Sequence, residues 1–182
     1  MVWLFLLGRE RAYRERLLDL ARITPGQSVL DVGCGTGSLA IAAKRRVGPS
    51  GAVHGIDPSP EMIARAGRKA AKASLDVTFT IGAAEALPFP DAHFDAVLST
   101  LMMHHLPHDV RPQFARSIRR LLRPGGLALV VDYARPARFH RHEHVDMTGL
   151  GTSLGEAGLA VVKSGDVGVR GQSFLLAVPT GP

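Results

Sequence analysis

The sequence predicts an α/β domain built on a doubly wound, mostly parallel sheet. Three observations carry that reading. Short apolar runs alternate with helical stretches at the spacing of strand–helix–strand units. The runs are apolar on both faces, as strands covered by helices on either side must be. And one of them, Val29-Leu30-Asp31-Val32, bends through Gly33, Gly35 and Gly37 straight into a helical pattern. A strand that turns through glycines into a helix offers bare backbone amides and a positive helix end, which suit a small, polar, often anionic ligand.

Each element follows from local signals. Residues 3–22 read as an amphipathic helix, closed by Pro25-Gly26. That turn divides an N-terminal helical segment, 1–24, from the domain proper, 25–182. Strands are expected at 28–32, 52–57, 76–81, 94–99 and 127–132. The helices between them are placed at 37–47, from Ser59 to about 73, and at 108–123. Ser59 is the N-cap of the second, with Pro60 at its first position. Pro124-Gly125-Gly126 is expected to break the chain before the fifth strand. A helix at 145–157 and strands at 159–164 and 173–178 complete the pattern. The linker 165–172 is too short for a crossover helix, so the last two strands pair antiparallel.

Composition sets limits on function. At 182 residues the chain forms one domain that buries roughly 70% of its unfolded surface and needs no staples. A single cysteine excludes an internal disulfide and fits a reducing, cytoplasmic setting. The opening Met1-Val-Trp-Leu-Phe-Leu-Leu7 lacks the basic start of a signal peptide and is too short to span a bilayer. The net charge of +6 raises nucleic acid as a partner. Only ten aromatics are present, and none punctuates the basic runs Arg65, Arg68, Lys69, Lys72 or Arg116, Arg119, Arg120, Arg123. Those runs read as solvated helix faces, and no nucleic-acid partner is expected.

The glycine spacing selects the ligand. A dinucleotide fingerprint closes on glycine or alanine, and here Ser38 stands at that position. The stretch Leu30-Asp31-Val32-Gly33-Cys34-Gly35-Thr36-Gly37 instead resembles the first motif of class I S-adenosylmethionine-dependent methyltransferases. Gly82-Ala83-Ala84-Glu85-Ala86-Leu87-Pro88-Phe89 is similar to the family's adenine-wrapping segment, with Ala83 where an acid is usual. Phe94-Asp95-Ala96-Val97-Leu98-Ser99, then His104-His105-Leu106 and Leu121-Leu122-Arg123-Pro124-Gly125-Gly126, resemble the ubiquinone/menaquinone-biosynthesis-like branch, a methyltransferase type 11 domain. The likeness is detailed over residues 10–133. It implies a Rossmann-like seven-stranded sheet in the order 3-2-1-4-5-7-6 with the last strand antiparallel.

The resemblance also implies a site. Asp31, Gly33, Cys34, Gly35 and Gly37 would hold the methionine end of S-adenosylmethionine. Asp57, at the tip of the second strand, would hold the ribose, a device that nicotinamide enzymes share. Pro58, Met62 and Leu87 would face the adenine, and Ala83, Ala84 and Glu85 would read its edge. Ser99 and Leu101 lead to the mouth, which the N-terminal helix, with Trp3 and Phe5, packs against or covers. His104 and His105 are candidate general bases or wall residues. Cys34 is a small turn-filler or a reactive thiol. His140, His142 and His144, with Glu143 and Asp146, read as a polar loop over the acceptor pocket rather than a metal site, because no second ligand set accompanies them. Tyr133 and Arg135 line the same pocket.

The expected activity is methyl transfer to a small molecule. A non-catalytic S-adenosylmethionine-binding regulator and a nicotinamide oxidoreductase stand as alternatives. No acceptor-binding insertion is present, so the pocket is open or completed by a second subunit of a homodimer.

Overall fold

The computed structural model describes residues 2–134 and 144–181. The readings on Arg135, His140, His142 and Glu143, and on the side chains of Trp3 and Phe5, fall outside what is described. The element order is α1 (Val2–Leu20), β1 (Ser28–Val32), α2 (Ser38–Val47), β2 (Ala52–Asp57), α3 (Pro60–Lys72), β3 (Thr78–Ile81), β4 (Phe94–Thr100), α4 (Arg111–Leu121), β5 (Leu122–Tyr133), α5 (Met147–Glu156), β6 (Leu159–Asp166) and β7 (Gln172–Pro179). A single 3-10 turn, Met103–His105, lies between β4 and α4.

The seven strands form one sheet in the order β3-β2-β1-β4-β5-β7-β6. The first five run parallel, β7 pairs antiparallel with both β5 and β6, and this is the expected topology. Alternate residues of each central strand enter opposite layers, as the two-residue period of a strand requires. Leu30, Val32, Val97 and Val130 pack with Phe114, Ile118 and Leu154 on the α4–α5 side. Val29, Leu98, Leu129 and Val131 pack with Leu17, Leu18 and Ala43 on the α1–α2 side. Helix α1 is therefore anchored to the domain by its last turn, where Leu17, Leu18 and Ala21 are almost wholly buried.

Local chemistry explains the boundaries. Ser59 caps α3, its hydroxyl accepting from the Met62 amide at 3.2 Å. Asp146 caps α5 by accepting from the Thr148 amide at 3.0 Å, which gives this carboxylate a structural task. Among the described residues no group of three His, Cys, Asp or Glu side chains is arranged to hold a metal ion. No helix there is long and apolar enough to cross a membrane.

Most boundaries fall within two residues of expectation, and two differ by more. The helix before β5 starts at Arg111 rather than 108, and β5 begins at Leu122, before the Pro-Gly-Gly sequence. The register jumps from Phe94↔Leu122 to Ala96↔Leu127, so Pro124-Gly125-Gly126 is a bulge within the strand, not a break ahead of it. Gly126 has no room for a side chain, because a Cβ there would lie 3.1 Å from the Asp95 carbonyl oxygen.

Leu98, fully buried at the centre of the sheet, reports on this packing. Leu98→Ala is expected to lower the free energy of unfolding in urea by about 2–5 kcal/mol. A loss under about 1 kcal/mol would mean that the two layers are not close-packed around β4.

Candidate active site

The carboxyl ends of β1, β2 and β4 meet at the switch in strand order, where open α/β sheets bind ligands. A cleft of about 570 Å³ opens there. Its floor is the glycine turn after β1, and that turn is tightly tied to β2. The amides of Gly33 and Cys34 both donate to the Ile56 carbonyl, at 2.8 and 3.0 Å. The Gly35 amide donates to Asp57 Oδ2 at 2.8 Å, and the Gly37 amide to the Cys34 carbonyl at 2.9 Å. The expectation of bare amides at these four positions is therefore corrected: each already has a protein acceptor. The turn is a preorganised floor, not an open row of donors.

The glycines have separate reasons to be glycine. A Cβ on Gly33 would lie 2.4 Å from Met102 Cγ, and one on Gly37 would lie 2.6 Å from the Phe79 ring. Both positions are closed by packing. Gly35, at φ +52°, would meet nothing within 4 Å. It lines the cleft and leaves its backbone open to whatever enters.

Asp57 stands at the cleft rim. Beyond the Gly35 bond, its Oδ1 accepts from the Ser59 amide at 3.0 Å. Each carboxylate oxygen keeps a second lone pair for a ligand hydroxyl. Pro58 and Met62 continue the wall on one side, and Ala83, Ala84 and Glu85 continue it on another. Leu101 closes it from β4 with φ +55°, a left-handed conformation rare outside glycine, pinned by its amide bond to the Val131 carbonyl at 2.8 Å. Of the residues expected around the cofactor, Gly33, Gly35, Asp57, Pro58, Met62, Ala83, Ala84, Glu85 and Leu101 line this one cleft.

Four do not. Gly37 packs under Phe79, and Cys34 is buried behind the turn, its thiol pushed up by burial and by the carboxylates of Asp31 and Asp57. That environment opposes a thiolate, so Cys34 is a turn-filler. Ser99 and Asp31 are each 1% exposed. Neither the Ser99 hydroxyl nor either Asp31 oxygen has a hydrogen-bond partner among the described residues. Burial raises the Asp31 carboxyl to about 7; the Ala40 amide opposes this, without a full hydrogen bond, and the Asp57 charge adds to it. Leu87, expected against the adenine, is instead 5% exposed within the α4–α5 core layer.

The opposite wall carries the histidines. His105 lines the cleft with Met102 and Leu106. His104 does not; its ring turns inward, with a side chain only 6% exposed. His104 Nδ1 donates to Asp132 Oδ1 at 2.7 Å, and its amide donates to Asp132 Oδ2 at 3.2 Å. The same Oδ1 accepts from the Tyr133 amide at 2.7 Å. The His104 and His105 rings lie 3.9 Å apart between centroids. A line of contact thus runs from buried Asp132 through His104 to His105 at the cleft. Tyr13 of α1 reaches over this cluster, its hydroxyl donating to Gln172 Oε1 at 2.7 Å. Burial, then Tyr133 and Asp132, push that phenol up to about 12. Sequence reasoning missed Asp132, Tyr13 and Gln172. An acid at a strand tip, the signal that found Asp57, was also present at Asp132.

The sheet order, the glycine floor and the rim carboxylate are those expected of the class I S-adenosylmethionine-dependent methyltransferases. The chain belongs to the methyltransferase domain family, whose model matches residues 29–126. It is 36% identical over 132 residues to the ubiquinone/menaquinone biosynthesis C-methyltransferase of Bordetella avium, covering 72% of this chain and 50% of that one. It is 35% identical over 131 residues to the 2-phytyl-1,4-naphtoquinone methyltransferase of Synechococcus elongatus, covering 71% and 55%. The chain thus spans about half the length of the curated relatives it matches. A crystal structure of a SAM-dependent methyltransferase from Aquifex aeolicus superposes with a TM-score of 0.79 at 25% identity, over 90% of this chain and 88% of that one. The nicotinamide alternative is set aside by this membership.

The residues present fit S-adenosylmethionine. The cleft volume is that of a cofactor site, the Gly35 backbone is open, and Asp57 retains acceptor capacity. Behind the turn, Asp31 offers two buried oxygens with no protein donor.

The Asp31 environment has a consequence for stability. Its folded carboxyl titrates near 7 against an ordinary value of 3.8. The contribution of the neutral acid is fully present below about 3.8 and is lost as pH rises through 7. Above pH 7 the buried charge costs on the order of 4 kcal/mol. Urea titrations at pH 4 and pH 8 are therefore expected to show a smaller pH-dependent loss in Asp31→Asn than in the wild type. Parallel profiles for the two proteins would remove Asp31 as a buried, unpartnered carboxyl.

Proposed function

We propose that this chain transfers the methyl group of S-adenosylmethionine to a small quinol-type acceptor at a ring carbon, in a reducing cytoplasmic setting. The observation that carries the reading is the single cleft that brings the Asp57 rim and Gly35 floor opposite His105, with His104 and Asp132 behind it. The two relatives named above act, by their names, on quinone-type molecules, and the acceptor class comes from them.

The cosubstrate supplies a methyl carbon already activated by a sulfonium charge. The protein's task is then alignment and proton removal. Asp57 takes the ribose hydroxyls, Pro58 and Met62 give the adenine apolar faces, and Ala83 to Glu85 border its edge. Asp31, from behind the turn, answers the ammonium group. The acceptor lies against Leu101, Met102 and Leu106, where fixed orientation is worth roughly 7–11 kcal/mol of barrier. The acceptor's ring carbon donates its electron pair to the methyl group while the carbon–sulfur pair returns to sulfur. One proton must leave the acceptor. His105 faces it, and the neighbouring His104 ring, held by Asp132, packs against His105 and fixes its place on the wall.

Transfer of labelled methyl from S-adenosylmethionine to a water-soluble 1,4-naphthoquinol, kept reduced and followed by mass spectrometry, tests the reading. Methylated quinol is expected; label on protein or nucleic acid alone would overturn the acceptor class. Asp57→Asn is expected to weaken S-adenosylhomocysteine binding at least about tenfold by calorimetry, the cost of one charge-assisted contact. Asp132→Asn is expected to lower kcat by roughly 10²–10⁴ while leaving cofactor affinity intact. Equal losses in kcat and affinity would make Asp132 a structural residue only.

A further inference from the structure

A second concavity, of about 740 Å³, runs between α1, α2 and α3, away from the histidine wall. It is lined by Arg11, Arg14, Arg45, Lys69 and Lys72, and by one acid, Glu15. The neighbouring acids are already engaged: Glu10 with Arg14, and Glu15 and Asp19 with Arg46. Among the described residues, no ion pair reaches Arg11, Arg45, Arg68, Lys69 or Lys72, all of them exposed. On the opposite helical layer, by contrast, Arg120 is paired with Asp91 and Arg123 with Asp95. Arg116 and Arg119 of α4 also have no ion pair among the described residues, but there no concavity gathers five cations against one acid as the α1–α3 groove does.

The groove adjoins the active site. Lys69 donates to the hydroxyls of Thr36 at 3.1 Å and Ser38 at 2.6 Å, immediately beyond the cleft-lining Gly35. Burial, then the Arg14 charge, lower the Lys69 ammonium, and the Glu10 carboxylate opposes them. A further shallow depression, shared by Thr36, Arg65 and Arg68, extends the same field across α3. The helix that supplies Arg11 and Arg14 begins with the apolar sequence Val2-Trp-Leu-Phe-Leu-Leu7. A helix whose sequence passes from an apolar, aromatic-containing start into a basic stretch has the composition of an element that lies on a membrane surface. Among the described residues no aromatic lines the groove as a stacking platform for single-stranded nucleic acid.

We propose that the α1–α3 face docks this protein on an anionic lipid surface, with the start of α1 entering the interfacial layer. The proposal rests on the quinol reading above, because an acceptor with an isoprenoid-type tail resides in that layer. It would hold the protein at the surface where such a molecule is found.

The full chain reports on this directly, since Trp3 is its only tryptophan. Vesicles of phosphatidylcholine, with and without phosphatidylglycerol, are added while Trp3 emission and co-sedimentation are followed. A blue shift and sedimentation are expected with the anionic vesicles only, both reversed by high salt. The double variant Arg45→Glu/Lys72→Glu is expected to bind roughly tenfold more weakly or worse, while Arg116→Glu on α4 binds as wild type. Absence of vesicle binding, equal binding to neutral vesicles, or an unaffected double variant would overturn the proposal. So would binding of a single-stranded oligonucleotide in place of vesicles. Turnover of the water-soluble quinol separates the two readings. If both hold, the double variant keeps that turnover and loses rate only on a tailed quinol in vesicles. If no quinol is methylated while the vesicle result stands, the acceptor class alone has failed.

Discussion

The Asp57 carboxylate gripping the Gly35 and Ser59 amides is the contact on which the site depends. It ties the tip of β2 to the glycine turn after β1 and to the start of α3. With the Ile56 carbonyl holding the two preceding amides, it fixes a loop that glycine content alone would leave free. A charge-assisted bond of this kind is stronger than a neutral one and sets direction as well as distance. The same carboxylate then faces the cleft. One side chain thus shapes the floor and serves as a wall, so the site is organised before any ligand arrives.

Three acids stand at strand tips, and their surroundings give them different tasks. Asp57 is half-buried and bonded to amides. Asp132 is fully buried yet satisfied, by the His104 ring and amide and by the Tyr133 amide. Asp31 is as deeply buried, and among the described residues neither of its oxygens has a hydrogen-bond partner. Burial without hydrogen bonds penalises the charged form and drives the Asp31 carboxyl up to about 7. An unsatisfied buried carboxyl is costly, and the proposed role of Asp31 opposite the cofactor's ammonium group would give that cost a functional reason. The strained backbone of Leu101, on the far wall, belongs to the same pattern of local cost kept at a working cleft.

Much of the architecture was legible in the sequence because it rests on period and punctuation. Both-sided apolar runs, the glycine turn, the Ser59 cap and the short 165–172 linker all act locally, and the topology followed from them. Reading failed where distant partners decide. Whether the turn's amides are bare depends on Ile56 and Asp57, more than twenty residues away. Leu87 went to the core because the α4–α5 layer has room for it. Pro124-Gly125-Gly126 looked like a terminator, but pairing with β4 on both sides turned it into a bulge. His104 and His105 were indistinguishable as neighbours in sequence; a single turn of 3-10 helix sends one inward to Asp132 and leaves the other at the cleft.

The central claim is that the cleft over Gly35 and beside Asp57 receives the adenosyl group, with the acceptor entering past His105. A crystal structure of the chain soaked with S-adenosylhomocysteine tests it most directly. The account requires ribose hydroxyls hydrogen-bonded to Asp57, adenine between Met62 and the Ala83–Glu85 segment, and sulfur directed toward His105. Nucleoside density anywhere else, or ribose turned away from Asp57, would contradict it.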